Sequence, residues 1–308
     1  MIDLFPFSGF IVGVLGLGDH GLVTARALKL SGAEVWAWDH DENRREKAQA
    51  EGIPLVDLNA CDAREIISLV IEPDIAHGLT DCDDIVTAVR NAGGEVISDA
   101  ELLVRTQRDA AYLGITGAGD DAFFCSLITQ MLEVAGKDIE LGGTPERAML
   151  GLHPLDLGGM YVLLMPPKKL DMTVSITFDT AVWLGAVPFM TDEELGNMRK
   201  IFHRQTKPRT AIISVDDPVS CEVYETLKDA DEQIVVPISG KNRVPGGVYI
   251  EDSMLIDDTN GEGVPVTNLG EYDTYCEADH KRLAAFAYTT ALSVGIEPRV
   301  AMACLQGF

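Results

Sequence analysis

Several things are scarce in this chain. No apolar run reaches the 18 or so residues of a membrane span, and the opening MIDLFPFSGF has no basic stretch ahead of an apolar one. Neither a membrane anchor nor a secretory leader is therefore expected. Cysteine is sparse, at positions 61, 82, 125, 221, 276 and 304, with no two close enough for a CxxC pair. That spacing argues against structural zinc and a disulfide framework, and fits a reducing cytoplasm. Positive charge is the third shortage: 24 Lys+Arg face 49 Asp+Glu, a net charge of −25. A nucleic-acid partner needs basic patches that displace counterions, and an anionic membrane surface needs the same, so both are excluded. Low-complexity segments and internal repeats are also missing, and the hydrophobic fraction of 46% is that of a folded globular protein.

What is present is an alternation of strands and helices. Phe10–Leu15, Glu34–Trp38, Ile66–Ile71 and Glu95–Ile97 read as strands, separated by helical patterns at Gly21–Leu30, Glu42–Glu51 and Asp83–Ala92. A helix at Asp99–Thr106 leads out of this first unit. A second unit opens with the strand Tyr112–Thr116 and the long helix Asp121–Val134. Further strands follow at Tyr161–Met165, Thr180–Leu184, Thr210–Val215 and Gln233–Pro237, then a hairpin over 246–267 and helices at His280–Val294 and Pro298–Leu305. Such repetition predicts an α/β fold with doubly wound parallel sheets, divided into residues 1–108 and 109–308.

Two glycine turns carry the chemical signals. Gly16-Leu17-Gly18-Asp19-His20-Gly21 fits G-x-G-x-x-G between a strand and a helix. In that place the glycines allow a tight turn and a ligand's close approach to free helix N–H groups. Asp39 ends the second strand, where a ribose-binding carboxylate stands in dinucleotide sites. A nicotinamide site is one reading, and a turn serving only helix–sheet packing is another. Asp19 inside the turn and Asp41 beyond His40 oppose a diphosphate, since a like charge at about 4 Å costs about 4 kcal/mol at an effective dielectric of 20.

The second turn, Gly114-Ile115-Thr116-Gly117-Ala118-Gly119-Asp120-Asp121-Ala122, stands where a phosphate loop belongs. Such a loop needs Gly, then Lys for the β- and γ-phosphates, then Ser or Thr for Mg²⁺. Asp120, Asp121 and Ala122 occupy those three places, and the two carboxylates suit a helix N-terminus instead.

FSGFIVGVLGLGDHGLVTARALKLSGAEVWAWD, GGEVISDAELLVR, LGITGAGDDAFFCSLITQML and the Asp216-Asp217 pair after AIISV together resemble the Mur ligase family, nearest its D-glutamate-adding branch. The resemblance implies a Rossmann-like first domain that holds the UDP of a muramoyl substrate, and a central α/β domain with the ATP loop. It points to Gly16, Gly18, Asp19, His20, Gly21, Asp39, His40 and Asp41 as positions meeting UDP, and to a link with peptidoglycan precursors. The family's catalytic positions read differently here. Its ATP-loop Lys and Ser/Thr correspond to Asp121 and Ala122, within a degenerate loop of Gly117, Gly119, Asp120, Asp121 and Ala122. Its magnesium-binding Glu corresponds to Leu164, and the Ser-Ser after it to Pro166-Pro167. Its Asn and metal-binding His correspond to Gly185 and Met190, its Gly-Gly-Asn to Gly142-Gly143-Thr144, and its His-Asn to Asp279-His280. The carbamylated Lys finds no secure counterpart, with Lys200 and Arg204 nearby. The chain ends at LQGF, about where the family's C-terminal domain begins.

The expectation is thus a non-catalytic, Mur-ligase-like binding or regulatory module: no catalytic residues, no metal site, no cofactor, and neither ATP nor Mg²⁺ bound productively. A UDP-sugar-type ligand, a cell-wall protein partner and self-association stay open. Two alternatives remain, an NAD(P)- or nucleotide-sugar-binding enzyme using the first turn, and a D-glutamate ligase completed by a separate C-terminal partner. His77, His153 and His203 read as locally bonded or solvated, Cys125 as core, Lys168-Lys169 as a solvated loop, and Trp36 and Trp38 as strand core packing.

Overall fold

The computed structural model describes residues 1–72, 83–186 and 188–308. His77 and Cys82 lie outside the described residues. Two compact units form. The first comprises 1–110, 142–156 and 168–176, and the second comprises 111–141, 157–167 and 177–308.

The first unit is built on a four-stranded parallel sheet of β1 (Ile11–Leu15), β2 (Glu34–Trp38), β3 (Ser68–Ile71) and β4 (Glu95–Ile97) in the order β2-β1-β3-β4. β1 and β3 are central and almost wholly buried, which is why they read as unbroken apolar runs. Helices α1 (Asp19–Leu30), α2 (Glu42–Ala50), α3 (Asp83–Asn91) and α4 (Asp99–Thr106) join them. Leu15, Leu58, Ile66, Leu69, Ile85 and Val89 form one core cluster. β2 is an edge strand: Val35 and Ala37 are buried, and Trp36 and Trp38 are half-buried and pack against the core cluster, as the strand reading expects. Trp36 donates to Glu34, and the Arg45 guanidinium sits 4.8 Å from the centre of the Trp38 ring.

The second unit carries a nine-stranded sheet in the order β13-β12-β11-β10-β9-β8-β5-β7-β6. Its strands are β5 (Ala111–Thr116), β6 (Ile139–Gly142), β7 (Met160–Leu164), β8 (Thr180–Trp183), β9 (Thr210–Ser214), β10 (Ile234–Ser239), β11 (Val248–Glu251), β12 (Met254–Asp257) and β13 (Val264–Asn268). β7-β5-β8-β9-β10-β11 run parallel, and β11-β12-β13 close the edge antiparallel, as the turn-rich sequence there predicts. Helices α5 (Asp121–Val134) and α9 (Ala278–Ser293) pack together on the sheet, with α10 (Pro298–Gly307) against both. Among the described residues, three α-helices escape the sequence reading: α6 (Pro167–Asp171), α7 (Asp192–Arg199) and α8 (Pro218–Ala230).

In each sheet the strand order turns back around a central strand. β1 lies between β2 and β3, and β5 between β8 and β7. Crevices form at the carboxyl ends of strands at such switch points, and each glycine turn follows one of these two strands.

Candidate functional sites at two glycine turns

In the first unit, Gly16 leaves β1 with φ of 97°, a conformation that favours glycine. Its N–H donates to the Trp38 carbonyl, which aligns the turn with the end of β2. Gly18 is the N-cap of α1 and has no side chain to satisfy the helix's free N–H groups. The protein supplies that function from elsewhere. Asp39, 3% exposed, accepts the Leu17 N–H at 2.6 Å through Oδ2 and the Asp41 N–H at 2.8 Å through Oδ1. Glu72, 6% exposed and just past β3, accepts the Gly18 N–H at 2.7 Å. Two consecutive N–H groups of the turn therefore end on protein carboxylates. Arg44 reaches Asp39 at 3.4 Å. Partial burial works against its charge, but Asp39, with Glu72 and Asp41 behind it, holds the guanidinium above its ordinary pKa.

The other predicted residues disperse. Asp19 projects outward and pairs with Lys47 at 3.2 Å, so it does not press on the turn as the sequence suggested. His20 turns away from Asp39: Nε2 lies 2.9 Å from the Thr144 carbonyl and Nδ1 3.9 Å from Asp99. Asp19 and His20 line a depression of about 210 Å³ with Lys47 and Glu146. His40 instead lines a separate crevice of about 500 Å³ with Leu58, Asn59, Cys61 and Ile85. Asp41 caps α2 by accepting the Asn43 N–H. Gly21 packs tightly on the turn, where a Cβ would collide with the Gly16 carbonyl oxygen.

In the second unit, the turn after β5 folds back on the segment following β8. Gly117 has φ of 113°, and a Cβ there would meet the Gly185 oxygen at 2.5 Å. The Ala118 N–H donates to the Gly185 carbonyl at 3.0 Å. Arg282, on α9, donates to the Leu184 carbonyl, to the Ala118 carbonyl at 3.4 Å and to Asp279 at 2.6 Å. This guanidinium sits beside the loop, bound to one loop carbonyl, one carbonyl of the segment after β8 and one carboxylate. Asp120 caps α5 by accepting the Phe123 N–H at 2.9 Å, and its other oxygen lies 3.6 Å from His280 Nε2. The His280 ring stacks on Phe123 at 4.0 Å. Asp121 is half-buried with one oxygen unpartnered, and burial, then Asp120, pushes its carboxyl up to about 6. Ala122 is exposed and offers no hydroxyl.

The start of α5 presents two carboxylates, Asp120 and Asp121, and the nearby Arg282 guanidinium donates to the Ala118 carbonyl of the turn and to the Leu184 carbonyl after β8. Among the described residues, no three His, Cys, Asp or Glu side chains converge at metal-ligand spacing. Burial, then Asp121, pushes the Cys125 thiol up to about 12, which favours the thiol over the thiolate. The Asp216-Asp217 pair is structural: Asp216 accepts from Ser239 and from the Gly240 N–H, and Asp217 from the Ser220 and Ala186 N–H groups.

Comparison with known proteins sharpens the picture. The chain is 33% identical to the UDP-N-acetylmuramoylalanine–D-glutamate ligase of Phenylobacterium zucineum, covering 100% of this chain and 68% of that one. It is 30% identical to the Rhodospirillum rubrum ligase of the same name, over 100% and 67% respectively. The chain belongs to the Mur ligase family, in its MurD branch. No family model matches it. Among solved structures, the UDP-N-acetylmuramate:L-alanyl-γ-D-glutamyl-meso-diaminopimelate ligase of Neisseria meningitides aligns with TM-score 0.64 at 16% identity, over 97% of this chain and 98% of that one. The UDP-N-acetylmuramate-alanine ligase of Thermotoga maritima aligns with TM-score 0.56 at 12% identity, over 97% and 68%. The Mur ligase scaffold is thus shared at both levels. Among the described residues, no helix of this family member is long and apolar enough to cross a membrane.

Sequence reasoning missed two charged residues that matter here. Lys169, expected in a solvated loop, is 2% exposed on α6 and pairs with Asp99 at 2.7 Å. Its partner lies 70 residues earlier, beyond any local pattern. Glu72 was also missed, although a signal existed: a charged residue follows directly on the buried apolar strand SLVI, at the switch point beside the glycine turn.

Proposed function

We propose that this chain is a non-catalytic member of the Mur ligase family, a cytoplasmic binding or regulatory module of peptidoglycan precursor synthesis. The relatives are named as ligases, and membership of their family supports the link to that chemistry. The departure from catalysis rests on one observation: the half-buried, partly unpartnered Asp121 carboxylate at the start of α5. Activating a carboxylate as an acyl phosphate requires a cationic clamp and metal-bridged phosphates. Replacing the attraction of a lysine by the repulsion of a carboxylate at about 4 Å shifts the balance by several kcal/mol at an effective dielectric of 20. Arg282 does not compensate, because its donors already serve Leu184, Ala118 and Asp279.

The test is calorimetric titration of Mg·ATP, paired with an ADP-release assay containing UDP-N-acetylmuramoyl-alanine and D-glutamate. No saturable ATP binding at millimolar concentration and no substrate-dependent ADP release are expected. ADP release that rises on adding D-glutamate overturns the reading.

A further inference from the structure

We propose that the second unit binds a small phosphate monoester in a basic crevice beside the β11–β12 turn, held by Lys241, Ser253 and Lys281. None of residues 117–122 lines this crevice, so the proposal does not depend on the reading of the loop before α5.

The crevice measures about 360 Å³, at the lower end of small-molecule sites. It has room for a phosphate group and a short carbon skeleton, for which Ile250 and Ala278 supply apolar surface. Gly240, directly after β10, lets α9 pass close by: a Cβ there would lie 3.0 Å from Arg282 Cβ. Lys281, the neighbour of Arg282, thereby reaches the turn, and its Nζ donates to Ser253 Oγ at 2.9 Å. Lys241 lines the same crevice, and its Nζ donates to the Asp216 carbonyl at 3.1 Å.

The turn itself is costly backbone. Asp252 and Ser253 link the paired Glu251 and Met254, and both are left-handed, with φ of 49° and 68°. Two-residue turns of this kind are ordinarily Asn-Gly or Asp-Gly, so glycine would suit position 253 better than serine. What the serine adds is a hydroxyl at the crevice. Accepting from Lys281 leaves its own O–H able to donate to a ligand oxygen.

Charge selects the ligand. This chain has 49 acidic residues against 24 basic ones, yet two lysines line one crevice and, among the described residues, neither pairs with a carboxylate. Both ammonium groups end on neutral oxygens and keep their charge. Arg243 is different: it is spent on Glu251, at 2.6 Å and 2.8 Å. Asp252, exposed at the rim, is the remaining negative charge. Two un-neutralised ammonium groups suit a dianion, and a phosphate monoester carries a charge of about −1.5 to −2 at pH 7. A carboxylate carries less, and the guanidinium fork that matches a carboxylate best is already occupied.

The experiment titrates glycerol 3-phosphate, inorganic phosphate and acetate into the full chain at low salt, with two-dimensional NMR locating the response. Both phosphate compounds should bind saturably and acetate should not, with shifts centred on Lys241, Ser253 and Lys281. Lys241→Gln and Lys281→Gln should each weaken glycerol 3-phosphate binding about tenfold, the loss of one charge-assisted hydrogen bond. Asp252→Asn should strengthen it. Ser253→Gly should weaken it without lowering the unfolding midpoint, which separates a ligand role of the hydroxyl from a structural one. Circular dichroism establishes that each variant is folded; if Lys281→Gln does not fold, Lys241→Gln decides. No saturable binding of either phosphate compound overturns the proposal. So do shifts centred on 117–122 instead, or a folded lysine variant that binds like the wild type.

Discussion

At the scale of single residues, charge placement separates this chain from what its motifs alone suggest. Asp121 is the clearest case. Burial and Asp120 raise its carboxyl to about 6, against 3.8 for an exposed aspartate. The native state therefore binds this proton more tightly than the unfolded chain does. The resulting stabilisation is complete below the unfolded value and is lost as pH rises through about 6. At neutral pH Asp121 works against the fold. Asp121→Asn should raise unfolding free energy at pH 7.5 by about 1 kcal/mol, a figure reduced from the full shift because the group is partly exposed. The gain should disappear near pH 4, as urea denaturation at the two pH values would show. Residue-scale chemistry was legible where it is local: Asp120 as a helix cap follows directly from its place before α5. It was not legible where partners are remote, as with Glu72 and Gly18, or Lys169 and Asp99. Those pairs depend on which strands lie side by side, and a linear pattern does not carry that order.

At the scale of elements, the strands and most helices follow from their apolar periodicity. The three missed helices show why the rest do not. α7 is strongly polar, and its start is fixed by a Thr191–Glu194 capping box instead of an apolar stripe. α6 is a single turn. α8 begins with Asp217 and Pro218, a recognisable start, but buries only Ser220 and Val223. Its stability therefore leans on its ends. Asp217 accepts the Ser220 N–H at 2.8 Å and the Ala186 N–H at 3.3 Å, so one carboxylate caps α8 and also holds the segment after β8. Asp217→Ala should cost about 1–2 kcal/mol in chemical denaturation. Asp217→Asn, which keeps the capping acceptor, should cost a few tenths of that.

At the scale of the whole molecule, a net charge of −25 is a standing self-repulsion. Salt screens it over about 10 Å at 0.1 M. Salt also weakens exposed ion pairs such as Lys207–Asp231, but each of those is worth little. With acidic groups outnumbering basic ones about two to one, repulsion dominates. Raising NaCl from 20 mM to 0.5 M should therefore stabilise the chain by about 1 kcal/mol, an upward shift of about 2–4 °C in a thermal melt. The α/β class and both sheet-forming regions were readable at this scale. The threading of the units was not, because segments 142–156 and 168–176 carry no compositional mark of their membership in the first unit.

That threading has a consequence during synthesis. The first unit takes its last stretch from residues up to 176, 66 positions beyond Ala110 (176 − 110 = 66). Glu101, fully buried, finds the N–H groups of Val174 and Ser175 only there. At about 5–20 residues per second, a ribosome needs several seconds to deliver them. Until then Glu101 has Arg105 of its own helix as a partner but lacks these two N–H groups, so the order in which this protein is made is not the order in which it can finish folding.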